Sequence, residues 1–121
     1  MLNILTVDDS RVMRQMLMLT LRGAGHEVYQ ASDGQEGLEA LNEDVAFDLI
    51  ITDINMPRLD GFGFIARARE LARYRGTPIL VLSTESSAEK KARARAAGAS
   101  GWIVKPFNAE ALLNAVRRVT G

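Results

Sequence analysis

Three aspartates, a serine and a lysine carry the chemistry open to this sequence. Asp8 and Asp9 follow the apolar run Ile4-Leu5-Thr6-Val7, and Asp53 ends Leu49-Ile50-Ile51-Thr52. Ser83 ends Pro78-Ile79-Leu80-Val81-Leu82, and Lys105 follows Gly101-Trp102-Ile103-Val104. One aspartate at the end of such a run is most often a turn former or a helix cap. Polar groups delivered in the same way by four runs form a pattern. Three carboxylates brought together repel one another unless a cation neutralises them. Their donors are all oxygen, which suits a hard ion such as Mg2+ that keeps several waters. An ion with few protein ligands has positions left for phosphoryl oxygens, the usual way a metal assists phosphoryl transfer. A carboxylate can also be the nucleophile and become an acyl phosphate. Lys105 adds a mobile positive charge and Ser83 a hydroxyl, both suited to phosphoryl oxygens.

For these groups to meet, the elements that carry them must end on one edge. The chain alternates short apolar runs with helical patterns five times. In the first helix Ser10 or Asp9 is the expected cap, and Val12, Met13, Met16, Leu17 and Thr20 recur at helical spacing until Gly23 and Gly25. Glu27–Ala31 reads as an edge strand. Leu38, Ala40 and Leu41 mark a second helix, which Gly34 and Gly37 weaken. Phe64, Ile65, Ala68, Leu71 and Ala72 form the stripe of a third. Ser86-Ser87-Ala88-Glu89 reads as a capping box for a fourth, which Gly98 ends. Its apolar positions Ala88, Ala92, Ala96 and Ala97 are all alanine, so it should be held less firmly than its neighbours. Asn108 caps a fifth helix with Leu112, Leu113, Val116 and Val119 inside.

Five such units imply an α/β fold, a doubly wound five-stranded parallel sheet with right-handed crossovers and helices on both faces. All strand C-termini then share one edge. The order 2-1-3-4-5 is common for such sheets and is adopted here as an expectation, not deduced. It makes strand two an edge and places the four polar-tipped strands side by side.

Composition excludes several classes. At 121 residues, 47% of them hydrophobic, the chain is long enough for one core and is expected to be a single domain, 1–121, with no output domain. It has no bilayer-spanning run, no charged-then-apolar leader and no cysteine. Net charge is zero, yet residues 1–60 hold 11 acidic against 4 basic residues and residues 61–121 the reverse. Lys90, Lys91, Arg93 and Arg95 on helix four, with Arg117 and Arg118 on helix five, are expected to form one positive surface beside Trp102, suited to an acidic or amphipathic partner.

Taken together, Asp8-Asp9, Asp53-Ile54-Asn55-Met56-Pro57 with Asp60-Gly61, Ser83, and Lys105-Pro106 resemble a response-regulator receiver domain over essentially the whole chain. The resemblance implies that Asp53 takes a phosphoryl group from a histidine kinase. It implies that Mg2+ is bound by Asp8, Asp9, the Asp53 carboxylate and the Asn55 backbone carbonyl. Ser83 and Lys105 would sense the phosphoryl group, Asn55 and Glu85 would tune its lifetime, and Trp102 would share the switch with Ser83. The Lys105-Pro106 bond would be cis. A cytoplasmic monomer is implied, not an enzyme beyond its own phosphorylation and dephosphorylation. Its output partner would bind the helix 4–strand 5–helix 5 face; in chemotaxis that partner would be a flagellar motor switch protein. Neither nucleic acid nor membrane is an expected partner. A phosphorelay intermediate and a phosphate sink are the alternatives within the family. An unphosphorylated pseudo-receiver is the alternative outside it, disfavoured because no pocket residue is missing. A haloacid-dehalogenase-like phosphatase would want a second acid where Asn55 stands, and Asp8-Asp9 would repel the phosphate of a flavodoxin-type FMN. Two residues depart from the family pattern: Ser83 stands where threonine is commoner, and Trp102 where Phe or Tyr is usual.

Overall fold

A computed structural model describes residues 1–121. Strands β1 (Asn3–Val7), β2 (Glu27–Ala31), β3 (Leu49–Thr52), β4 (Ile79–Ser83) and β5 (Gly101–Val104) alternate with helices α1 (Arg11–Gly23), α2 (Gly34–Leu41), α3 (Gly61–Glu70), α4 (Ala88–Ala97) and α5 (Ala109–Thr120). All pairings are parallel and the order is β2-β1-β3-β4-β5, as expected. No helix is long and apolar enough to cross a membrane.

Strand alternation divides the core in two. Leu5, Val7, Ile50, Ile79 and Val81 point to the face covered by α2, α3 and α4, where Phe64, Ile65 and Ala94 meet them. Ile4, Leu49, Ile51, Leu80 and Leu82 point to the opposite face, covered by Leu17 and Leu21 of α1 and Leu112, Ala115 and Val116 of α5. β1, β3 and β4 are buried on both sides, which explains their unbroken apolar runs.

Several helix stripes differ from the sequence pattern. In α1 the inward positions are Leu17 and Leu21 with Met13 and Met18 beside them, while Val12 and Met16 are exposed. Seven apolar residues on this helix exceed what one sheet face can cover. In α2, Gly34 and Gly37 are there for contact: an added Cβ at Gly34 would strike the Leu59 backbone, and one at Gly37 would strike the Phe64 ring. α3 stops before Leu71, and a 3-10 turn at Ala72–Tyr74 swings Tyr74 into the core. Arg69 fixes that turn by donating to the carbonyls of Tyr74 and Thr77, both at 2.6 Å. It also reaches the Gly98 carbonyl at the end of α4 at 2.7 Å. The cap of α4 is Ser87, one residue later than the expected box, with Lys90 instead of Glu89 at its third helical position. The inward residue of α4 is Ala94, and the alanines at 88, 92 and 96 face solvent. Gly98 ends the helix at φ +122, as its position predicted.

Candidate functional site

β1 leads into Asp8 and β3 into Asp53, and both carboxylates are drawn under the C-terminal edge, at 1% and 8% exposure. Asp9 stays exposed beside them. One carboxylate oxygen from each of the three lies within 4.8 Å of the others. The backbone sets their directions. The Ser10 N–H donates to Asp8 Oδ1 at 2.9 Å, and the Ile54 N–H donates to Asp53 Oδ1 at 2.7 Å. Each buried acid is thus held by one oxygen, leaving the other toward the pocket. Gly61 is required where the chain returns, because a Cβ there would run into the Asp53 carbonyl.

Lys105 reaches across from β5. Its Nζ lies 2.9 Å from Asp8 Oδ2 and 3.3 Å from Asp53 Oδ2. Pro106 follows through a cis peptide bond, as the resemblance implied. Burial pushes the Asp53 carboxyl above its ordinary value, and the Lys105 charge only partly opposes this. Three carboxylates against one ammonium leave two negative charges uncompensated, which one divalent cation would balance. The all-oxygen donor set and the exposed Asp9 fit a hard, partly hydrated ion such as Mg2+. Asn55 lies exposed in the loop after Asp53, two residues along the chain from that carboxylate.

Ser83 ends β4 fully buried, and its Oγ accepts the Glu85 N–H at 3.2 Å. Trp102 is half-buried on β5, facing the α2–α3–α4 core while Ile103 faces the other. Its indole N–H donates to the Glu85 carbonyl at 2.9 Å, so Glu85 joins Ser83 to Trp102. Beyond Trp102, a groove between α4 and β5 is lined by Lys91, Arg95 and Ser100.

The expected basic surface divides. Lys90 is ion-paired with Glu85, and the Arg93 guanidinium lies 4.0 Å from the centroid of the Phe62 ring. On α4 that leaves Lys91 and Arg95 beside Trp102. Arg117 bonds to Asn114, and Arg118 is exposed on α5.

One contact between loops at this edge of the sheet had no signal in the sequence. Asp33 caps α2 through the Glu36 N–H and also accepts Arg58 Nε at 2.8 Å and Nη2 at 3.1 Å. The Arg58 guanidinium holds the Asp33 carboxyl below its ordinary value. This clamp ties the β2–α2 loop to the loop carrying Asn55, with Arg58 itself at φ +67. Asp33-Gly34 alone reads as an ordinary cap; only the fold reveals its partner 25 residues away.

A family model described as the response regulator receiver domain matches residues 4–117. The chain is 34% identical over 121 residues to the chemotaxis protein CheY1 of Helicobacter pylori, covering 99% of this chain and 98% of that one. It is 36% identical over 120 residues to the gliding motility regulatory protein of Myxococcus xanthus, spanning 98% of this chain but only 15% of that relative. Among solved structures, the chemotaxis protein CheY4 of Vibrio cholerae matches with a TM-score of 0.95 and 50% identity over 98% of both chains. The receiver domain of the sensor histidine kinase PA1611 from Pseudomonas aeruginosa was solved with a magnesium ion coordinated in its active-site cleft. It matches with a TM-score of 0.91 and 27% identity, over 99% of this chain and 98% of that one.

Proposed function

The chain belongs to the response regulator receiver domain family, and on that premise we propose that Asp53 accepts a phosphoryl group from a histidine kinase at a Mg2+ site formed by Asp8, Asp9, Asp53 and the Asn55 carbonyl. The observation that carries this reading is the buried Asp53 carboxylate, one oxygen held by the Ile54 N–H and the other facing Lys105 at 3.3 Å. That geometry presents a single nucleophilic oxygen with a cation beside it. When bound, Mg2+ supplies charge neutralisation for the phosphoryl group and the acids. Lys105 already spans Asp8 and Asp53, and it follows the charge as it moves onto phosphoryl oxygens. Ser83 Oγ turns from the Glu85 N–H toward the same oxygens. Since Trp102 is bonded to Glu85, that turn shifts the β4–α4 loop and the groove beside Trp102. Asn55 and Glu85 flank the acceptor and tune the lifetime of the acyl phosphate.

The output partner binds the α4–β5–α5 face, with Lys91 and Arg95 drawing an acidic or amphipathic segment whose affinity falls with salt. Similarity to chemotaxis proteins favours a cytoplasmic monomer acting in chemotaxis, with a flagellar motor switch protein as the partner.

Labelling tests the reading. Incubation with acetyl phosphate and Mg2+ should place a phosphoryl group on Asp53 by mass mapping; Asp53→Asn should remove it and Asp9→Ala should weaken metal binding. A wild-type label on any other residue overturns the assignment.

A further inference from the structure

Glu85 is held at three points. Its backbone N–H donates to Ser83 Oγ at 3.2 Å, and its carbonyl accepts the Trp102 indole N–H at 2.9 Å. Its carboxylate is ion-paired with Lys90 in the first turn of α4. The two backbone contacts fix Glu85 two residues beyond Ser83, at the entry to α4. Only its side chain can still move, and Lys90 takes up that freedom. No other basic residue pairs with Glu85. Lys90 owes its position to the late cap: because Ser87 rather than Ser86 caps α4, the third helical residue is a lysine.

We propose that Lys90 is a positioning residue: by pairing with Glu85 it keeps a negative charge off the mouth of the acid pocket and so speeds phosphorylation of Asp53 by anionic phosphodonors. This rests on the reading of Asp53 as acceptor. With acetyl phosphate, an Asp53 oxygen forms a bond to phosphorus as the bond from phosphorus to the acetate oxygen breaks. Acetate leaves with its electron pair, no proton need move, and the total charge is unchanged. The incoming donor is nevertheless a dianion approaching a pocket already two charges negative until metal binds. A carboxylate released from Lys90 adds to that repulsion wherever it comes within the Debye length of the donor, about 8–10 Å at ordinary salt.

Phosphorylation rates of the full chain by acetyl phosphate at saturating Mg2+, followed by intact mass, test this in a cycle of Lys90→Ala, Glu85→Gln and the double variant. For a partly exposed pair the expected loss in Lys90→Ala is about two- to fivefold. It should shrink as salt rises and be rescued by Lys90→Arg. In the Glu85→Gln background Lys90→Ala should change nothing, since no charge remains to hold. Loosening of α4 by itself would slow both backgrounds alike, and that result overturns the proposal. An unchanged rate in Lys90→Ala overturns it too. If wild-type protein takes no label on Asp53, the fault lies with the acceptor reading and not with Lys90.

Discussion

Helices α4 and α5 flank the same strand, β5, yet they are held by opposite means. α5 buries Leu112, Ala115 and Val116 and presses Leu113 and Val119 against the same core. α4 buries only Ala94. What α4 lacks in apolar area it replaces with directional contacts. Arg69 holds its C-terminal carbonyl, Arg93 lies over Phe62, and Glu85 with its partners Trp102 and Lys90 holds its entry. A buried leucine contributes about 1.5–3 kcal/mol wherever it sits, and moving it exposes that area to water. A hydrogen bond contributes only about 0.5–1.5 kcal/mol net and can be exchanged for another. α4 is therefore fastened by replaceable contacts, while α5 is fixed by buried apolar area.

The sharpest challenge to this contrast is truncation. Leu112→Ala should destabilise the protein by about 2–5 kcal/mol in urea titration. Ala94→Gly should cost only about 1 kcal/mol, mostly helix propensity. Comparable losses would erase the distinction between the helices.

Arg69→Met comes next. It leaves the carbonyls of Gly98, Tyr74 and Thr77 without their donor, at a cost of about 1–3 kcal/mol. Burial already pulls this guanidinium below its ordinary value, so the three carbonyls are what make its charge tolerable there. Amide exchange should rise along the C-terminal half of α4 and stay low in α5. Equal acceleration in both helices would mean that the loss is global and α4 is not separately fastened.

Trp102→Phe removes one indole hydrogen bond, worth about 1 kcal/mol, and should loosen only the β4–α4 loop. In the wild-type chain Trp102 is the sole tryptophan, so its emission should shift when phosphodonor and Mg2+ are added together. Ser83→Ala should blunt that shift while Asp53 still takes label. Identical emission and acrylamide quenching in fully phosphorylated protein would make Trp102 a fixed packing residue.

The smallest effect serves as a control far from both helices. His26 Nδ1 accepts the Leu2 N–H at 3.1 Å, and burial lowers its pKa below 6.5. The folded state therefore binds fewer protons than the unfolded one between the two values. The stabilisation is fully present above about pH 6.5 and is lost as pH falls through the lower folded value. Melting temperature should drop slightly over that window, and His26→Gln should abolish the drop. The ratio of α4 to α5 amide protection should not change.

The parts legible in the sequence are those fixed by local pattern. Unbroken apolar runs mark strands buried on both faces, and a polar residue at each tip locates the pocket, so Asp8, Asp9, Asp53, Ser83 and Lys105 could be brought to one edge before any coordinates. Edges of helices were less legible, because the stripes of α1, α3 and α4 hold more apolar residues than their faces bury. Long-range polar partners outside the acid pocket left no trace. Arg69 reaching Gly98, and Arg58 reaching Asp33, are separated by 29 and 25 residues, and neither member is unusual where it stands. Strand alternation on β5, by contrast, sends Trp102 and Ile103 to different faces.

The division of the core has a consequence for how such a chain can change over generations. The sheet backbone stands between the two compartments, so Leu17, Leu21 and Leu112 pack in a different cluster from Phe64, Ile65 and Tyr74. A substitution under α1 and α5 therefore meets other neighbours than one under α3 and α4. On β5 the two meet at neighbouring residues, Trp102 belonging to one compartment and Ile103 to the other.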